Sequence, residues 1–260
     1  MVFHKYHGAG NDFVLIDDRA GDHHPHFDQA RIAAVCRRRF GVGADGMMFL
    51  RAHPDYDFKM VYYNADGAPS SMCGNGARCL VQFAADLGIA RAEYRFLAVD
   101  GPHRARLLPG GGVALEMNDV TSVDELTAGC VYTLDTGSPH YVTFVNDAGT
   151  VDVVADGRAV RYAEPYATRG INVNFVTARH GGLAIATYER GVEDETLACG
   201  TGVTAAAIAH VLRSGTTGAF RIPVAAKGGD LSVQGVYADG VFRQLWLEGP
   251  AEFVFTGELS

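Results

Sequence analysis

Two cysteines stand in nearly the same surroundings. "SSMCGNGARC" carries Cys73 and "LACGTGVTAA" carries Cys199. Each is followed by Gly-x-Gly and then by a helical run, "ARCLVQFAADLG" or "VTAAAIAHVLRSG", that stops at Gly88 or Gly215. Each cysteine therefore falls at the start of a helix, where unpaired backbone N–H groups and the helix dipole favour negative charge. A thiol there ionises more readily. The glycines let a ligand approach the backbone, and the free N–H groups suit a carboxylate. Two such starts facing one carbon, each sulfur within ~3–3.5 Å of it, could invert that carbon. A thiolate on one face removes the α-proton, and a thiol on the other returns one. Donors aimed at the carboxylate would stabilise the enolate-like intermediate.

The elements that must position these cysteines also repeat. "FKMVYYNADG" reads as a strand and turn ahead of Cys73, and "LAIATYERG" as the same ahead of Cys199. After the helices, "YRFLAVDG" and "FRIPVAAKGG" again read as strand and turn. Both helices look apolar nearly all round, which places them inside a fold. The expected fold class is α+β. Two pseudo-symmetric domains would each wrap a mostly antiparallel sheet or barrel around a central buried helix, with the active site in the cleft between them. The boundary is expected near "LEMNDVTS", giving domains of about 1–117 and 118–250.

Composition narrows the function classes. The chain has 260 residues, 48% hydrophobic and 20% charged, an ordinary globular balance with length for two domains. A net charge of −8 argues against a nucleic-acid partner. No apolar run approaches the ~18 residues of a membrane span, and "MVFHKYHGAGNDF" does not read as a secretory signal, so the expected location is cytoplasmic, with no membrane partner. The five cysteines include no C-x-x-C pair and no zinc spacing, so neither a disulfide framework nor a metal is expected. Cys36, Cys79 and Cys130 read as small buried apolar residues. The lysines, Lys5, Lys59 and Lys227, stand in no evident phosphate-binding context, which favours cofactor-free chemistry over a pyridoxal Schiff base. "GAGND" and "GVGADG" lack phosphate-loop spacing, and "RRRF" reads as a solvated helix face. His4, His7 and the turn residue Asn64 read as ordinary polar residues on these grounds alone.

In order along the chain, "HGAGNDF", "NADG", "MCGNGARC", "PHYV", "YERG" and "ACGTG" resemble the diaminopimelate epimerase family. The resemblance spans nearly the whole chain, and "CGNGARC" with "ERG…ACGTG" is its specific signature. It implies interconversion of LL- and meso-2,6-diaminopimelate in lysine and cell-wall precursor synthesis, without a cofactor. It implies that the final residues, about 251–260, return as a strand to the first domain. Cys73 and Cys199 would be the catalytic proton donor and acceptor, with roles that exchange with direction. Gly74, Asn75, Gly200 and Thr201 would hold the reacting carboxylate. Asn11, Asn64, Asn172 and Arg190 would grip the distal amino-acid end, a chemistry suited to amides and a guanidinium fork. His140 and Glu189 would tune the thiols, with Glu189 also bordering the substrate.

The sequence departs from the family pattern at Ser138, where many members have Asn, and at Gly46, where some have Gln. The loop "ERGVEDETLACG" is one residue longer than in some relatives. Other readings remain open. A proline-racemase-like two-thiol enzyme would share the cysteine–glycine motifs. A thiol redox protein would join Cys73 to Cys199, and a non-catalytic binder would keep the fold alone. The expected partner is a small-molecule substrate, and a homodimer is left open.

Overall fold

The computed structural model describes residues 1–259. The chain divides into two compact units, one holding Met1–Leu115 with the chain from Gly249 onward, the other Glu116–Glu248.

In the first unit β1 (Val2–Gly8) and β2 (Asn11–Asp17) form a hairpin. Helix α1 (Gln29–Cys36) then leads to β3 (Gly46–Arg51), parallel to β2. Strand β4 (Phe58–Asn64) returns antiparallel to β3. Helix α2 (Gly74–Asp86) carries the chain to β5 (Tyr94–Ala98), parallel to β4, and β6 (Gly101–Leu107) and β7 (Val113–Glu116) follow as a meander.

The second unit repeats this order. Strands β8 (Val123–Thr127), β9 (Val131–Asp135) and β10 (Pro139–Phe144) pair antiparallel, and α3 (Val153–Arg161) leads to β11 (Asn172–Arg179), parallel to β10. Strand β12 (Gly182–Glu189) returns antiparallel to β11. A short extra strand, β13 (Asp194–Thr196), folds back on β12 before α4 (Gly200–Ser214). Strand β14 (Gly218–Ala226) is parallel to β12, and β15 (Gly229–Ala238) and β16 (Val241–Gly249) complete the meander. The last strand, β17 (Glu252–Glu258), pairs with β1 in the first unit, where it takes the edge that β8 takes beside β9 in the second.

Each sheet is mostly antiparallel, as its alternating strands and turns suggest. Each also contains two parallel steps, because a helix joins the strands concerned and a parallel pair requires such a crossover. Both crossover helices that follow a cysteine are buried. Helix α2 is buried continuously from Asn75 to Val81, and α4 from Gly202 to Ala209. The alanines of α4 combine high helix propensity with a slim profile that lets strands pack close around it. Helix α2 is not apolar throughout, since Arg78 is fully buried within it.

Cysteine burial differs from expectation at one position. Cys36 and Cys79 are buried, but Cys130 is exposed. It lies in the β8–β9 hairpin turn beside Gly129, whose φ of 64° makes the reversal, and its own backbone bonds to Thr127 and Phe144 hold it at that surface turn. Among the described residues no helix is long and apolar enough to cross a membrane.

The second glycine of each cysteine motif explains how tightly these helices are wrapped. A Cβ at Gly202 would stand 2.4 Å from Asn174 Oδ1, and one at Gly76 would stand 2.0 Å from Met48 Cε. Met48 meets the clash with a flexible tip, whereas Asn174 is buried and held by hydrogen bonds from both ends of its amide. Gly202→Ala is therefore expected to destabilise the protein by about 1–3 kcal/mol, and Gly76→Ala by less. Urea unfolding midpoints of the two variants check the order; equal or reversed losses would contradict it.

Candidate active site

In the first unit Cys73 is the N-cap residue of α2, with extended backbone (φ −114°, ψ 118°) and no side-chain cap. Its carbonyl receives the Ala77 N–H at 2.8 Å, so the N–H groups of Gly74, Asn75 and Gly76 precede the first intrahelical bond. The thiol is half-buried and donates to Asn11 Oδ1 at 3.6 Å. Asn75 Nδ2 points to the same oxygen at 3.4 Å.

Asn11 is held in that orientation from behind. It opens β2 directly after the Ala9-Gly10 turn, whose positive φ values of 54° and 83° are those of the tight hairpin turn that matches strand twist. Its Nδ2 donates to Asp45 Oδ2 at 2.7 Å, so its Oδ1 must face the cysteine. Arg38 bridges Asp45 at 2.8 Å and Asp12 at 2.5 Å, and Lys5 pairs with Asp12 at 2.7 Å. Burial would raise the Asp12 carboxyl, but hydrogen bonds from Arg38 and Lys5 outweigh it and hold the group down at about 2. The "RRRF" run is thus no solvated helix face. Helix α1 has ended at Cys36, and Arg38 turns back to clamp two carboxylates.

Asn64 ends β4, exposed, and its backbone makes the turn to Gly67 and Ala68. The Gly46 departure has a local cause. A Cβ there would stand 2.5 Å from the Tyr62 ring and 2.6 Å from the Tyr63 carbonyl, so Tyr62 occupies the space a longer residue would need.

In the second unit Cys199 caps α4 in the same way (φ −108°, ψ 109°), and its carbonyl receives Val203 N–H at 2.9 Å. The thiol is buried, with Thr201 Oγ1 3.4 Å away. The glycines of the two motifs differ in how much room surrounds them. The second glycine is closed off by its own unit's side chains, as above. A Cβ at the first glycine would meet one leucine methyl: Leu115 at 3.7 Å for Gly74, an ordinary contact, but Leu247 at 2.8 Å for Gly200, a clash. Of the four, Gly74 alone has ordinary clearance around it.

His140, on β10, packs its ring against Gly202 and is fully buried. Asn174 donates to its Nδ1 at 3.1 Å and to Tyr141 O at 3.0 Å, while accepting from Thr187 at 3.0 Å. The histidine proton therefore rests on Nε2, which has no partner among the described residues. Burial first, and then Arg190, push its pKa down to about 3. His140 is therefore neutral, not a cation, near neutral pH. Burial pushes the Glu189 carboxyl up, and Thr196, whose hydroxyl lies outside hydrogen-bond geometry, offsets this only in part.

Asn172 and Arg190 come together through Ser138. Asn172 Nδ2 donates to Ser138 Oγ at 2.9 Å and to Pro139 O at 3.1 Å, and Asn172 Oδ1 receives the Arg190 N–H at 2.9 Å. The Arg190 guanidinium reaches Ser138 Oγ at 3.3 Å and Arg169 O at 3.1 Å. The shorter serine thus remains part of a polar cluster. Sequence reasoning passed over Asn174, Thr187, Asp45 and Arg38. Their signal is three-dimensional, since Asn174 and Asp45 orient His140 and Asn11 across the sequence, and Thr187 and Arg38 hold those two in turn.

Comparison with known proteins fits this geometry. The fold is that of a Bacillus anthracis phenazine biosynthesis protein of the PhzF family, with TM-score 0.77, 11% identity and 100% and 99% of the two chains covered. A probable proline racemase from Agrobacterium radiobacter shares it at TM-score 0.65 and 16% identity, covering 100% of this chain and 92% of that one. By sequence the chain belongs to the diaminopimelate epimerase family, matching it over residues 3–124 and 132–254. It is therefore an isomerase of that family. It is 45% identical to a diaminopimelate epimerase of Flavobacterium psychrophilum, with 98% of each chain covered. It is 41% identical to one of Chlorobaculum tepidum, over 97% of this chain and 99% of that one.

The low pKa of His140 has a consequence for acid stability. Its folded value, about 3, lies below the ordinary 6.5, so the unfolded chain binds the extra proton between those values. The stability associated with neutral His140 is present above pH 6.5 and is lost as pH falls toward 3. His140→Gln should therefore flatten the decline in unfolding free energy between pH 6 and pH 4 by about 1 kcal/mol per pH unit relative to the parent. Urea titrations at several pH values measure it; parallel pH slopes would show that His140 is not buried neutral.

Proposed function

We propose that this protein interconverts LL- and meso-2,6-diaminopimelate by two-base proton transfer, one thiol from each unit acting on opposite faces of the same α-carbon. The observation that carries the proposal is the repeated helix start. In both units a cysteine is the N-cap residue of a buried helix with its side chain uncommitted to capping, and a glycine follows it directly. This is what inversion requires, because each face of the carbon needs a group that can both take and give a proton.

In one direction a thiolate takes the α-proton as its S–H bond forms and the C–H bond breaks. The electron pair spreads into the carboxylate, held by the first-turn N–H groups, and the opposite thiol delivers its proton to the other face. The enzyme is left with its thiol and thiolate exchanged. Aimed N–H donors contribute on the order of 10²–10³ in rate each in comparable anion holes. Asn11, Asn64, Asn172, Arg190 and Glu189 surround the remainder of the substrate on this reading. The cluster of Asn172, Ser138 and Arg190 suits a second, charged amino-acid end and favours diaminopimelate over a short substrate such as proline. The reaction would use no cofactor and serve lysine and cell-wall precursor synthesis in the cytoplasm.

Incubation of the reduced protein with LL-diaminopimelate in deuterated water should place deuterium at the α-carbon and yield the meso isomer without added cofactor. Cys73→Ala and Cys199→Ala should each lower epimerisation at least 10³-fold. Exchange into proline but not diaminopimelate would transfer the assignment to the racemase reading, and full activity in either variant would remove that cysteine from the chemistry.

A further inference from the structure

The chain between β12 and β13 runs Arg190-Gly191-Val192-Glu193 and turns sharply. Gly191 and Glu193 both take positive φ, 92° and 60°. A left-handed backbone is unfavourable for a glutamate and persists only where its surroundings hold it. The Glu193 N–H closes the turn on the Glu189 carbonyl at 2.8 Å. Its carboxylate then collects donors from three directions. Oε1 accepts the Gly191 N–H at 3.0 Å, and Oε2 accepts the hydroxyls of Tyr162 and Tyr188, each at 3.0 Å. Arg161 Nε stands 3.4 Å from Oε1. The Gly191 N–H first, and then both tyrosines and Arg161, hold the carboxyl below its ordinary range against the effect of burial.

The partners of this carboxylate are themselves fixed. Tyr188 is buried on β12, and a Cβ at Gly157 of α3 would stand 2.4 Å from it, so helix and side chain pack in direct contact. Arg161, in the last turn of α3, also donates from Nη1 to Ala167 O at 3.3 Å. Gly170 lies against the same guanidinium, where a Cβ would stand 2.6 Å from Cζ. Arg161 and Glu193 thus tie the loop after α3 to the loop after β12.

Arg190 lies where these two loops meet. Its own N–H goes to Asn172 Oδ1 at 2.9 Å, and the next N–H in the chain goes to Glu193. Its Nη1 donates to the carbonyl of Arg169 in the loop after α3, and its Nη2 to Ser138 Oγ. Both of these acceptors are neutral, so the guanidinium keeps a charge that a carboxylate can pair with. Arg190 is exposed, and an exposed arginine on a loose turn would have to be ordered each time a ligand bound.

We propose that Glu193 is a positioning residue for Arg190: it pins the 190–193 turn to α3 and β12, presents a pre-set guanidinium to the carboxylate at the distal end of the substrate, and so governs how tightly substrate binds and not how fast it reacts. The identity of that ligand rests on the diaminopimelate reading; the pinning of the turn does not.

Two measurements test this: initial rates with LL-diaminopimelate, and amide hydrogen exchange of the substrate-free protein followed on the peptide holding Arg190 and Gly191. Glu193→Ala removes every side-chain bond at once. It should raise KM about tenfold with kcat within about twofold, and speed exchange across 190–193 about tenfold or more. Glu193→Gln should recover most of the KM, because its amide oxygen can still accept the Gly191 N–H while the tyrosine hydroxyls turn to accept from its nitrogen. In an Arg190→Ala background Glu193→Ala should shift KM no further, since the two residues act in series. A merely structural Glu193 would lower thermal stability with KM unmoved, or add its full effect to that of Arg190→Ala; either result overturns the proposal, as do unchanged amides in folded Glu193→Ala. Should Glu193→Ala not fold, Tyr162→Phe, which removes one bond at the surface, should raise KM about twofold, and an unmoved KM there is equally decisive against it. Normal turnover with KM unmoved would reject the role of Glu193 alone, whereas a parent that does not epimerise diaminopimelate, with the amides loosened in Glu193→Ala, would reject the epimerase reading and uphold the pinning of Arg190.

Discussion

Everything at the two cysteines depends on one constraint: a helix must be buried along its body while its first turn stays uncapped. The opening N–H groups of any helix lack intrahelical partners, and a serine, threonine or aspartate normally satisfies one of them. The surface helices α1 and α3 follow that practice, with Asp28 and Asp152 accepting from Arg31 and Ala155. Helices α2 and α4 put cysteine at the same position and leave the cap bond unmade. The saving that a cap would bring, about 1 kcal/mol, is forgone at both sites and retained elsewhere. Burial of the helix body offsets the loss and fixes the direction in which the free N–H groups point.

Rigid placement behind each thiol follows the same economy of means with different chemistry. Behind Cys73 it is ionic, with Lys5, Arg38, Asp12 and Asp45 together leaving Asn11 one way to face. On the Cys199 side it is neutral, with Thr187 fixing Asn174 and Asn174 fixing the tautomer of His140. A charged clamp tolerates the half-exposed setting of Arg38, where water screens it. At the buried His140 an amide and a hydroxyl replace ions, because charge is costly there.

The repeat and the buried helices were legible in the sequence because they are local. A cysteine, two glycines and an apolar run lie within a dozen residues, and the matching strands flank them. The parallel steps of each sheet were less visible, since period-two strands look alike whichever neighbour they join. The orienting residues were invisible for a related reason: Asp45 serves Asn11 and Asn174 serves His140 across strand registers that only the folded sheet creates. Cys130 misled because cysteine burial is a statistical habit, whereas its position in a hairpin turn is a backbone requirement. The glycines misled more usefully. All four looked like room for a ligand, and all but Gly74 prove to be room for the protein's own side chains.

That division bears on why the repeat is strict at some positions and loose at others. Cys73 and Cys199, with the glycines after them, match because both helix starts must present the same sulfur and the same free backbone. Asn75 and Thr201 differ, as do Arg78 and Thr204, because symmetry of position does not extend to charge. A two-base inversion begins with one sulfur ionised and the other protonated. Two identical environments would populate doubly protonated and doubly ionised forms alongside the useful one, and neither of those can complete a transfer. Arg78 bonding Asn75 in one repeat and Thr204 bonding the Gly200 carbonyl in the other give the two helix starts different side-chain surroundings on similar backbone. The repeats thus agree where the backbone starts each helix and diverge one helical turn further along it.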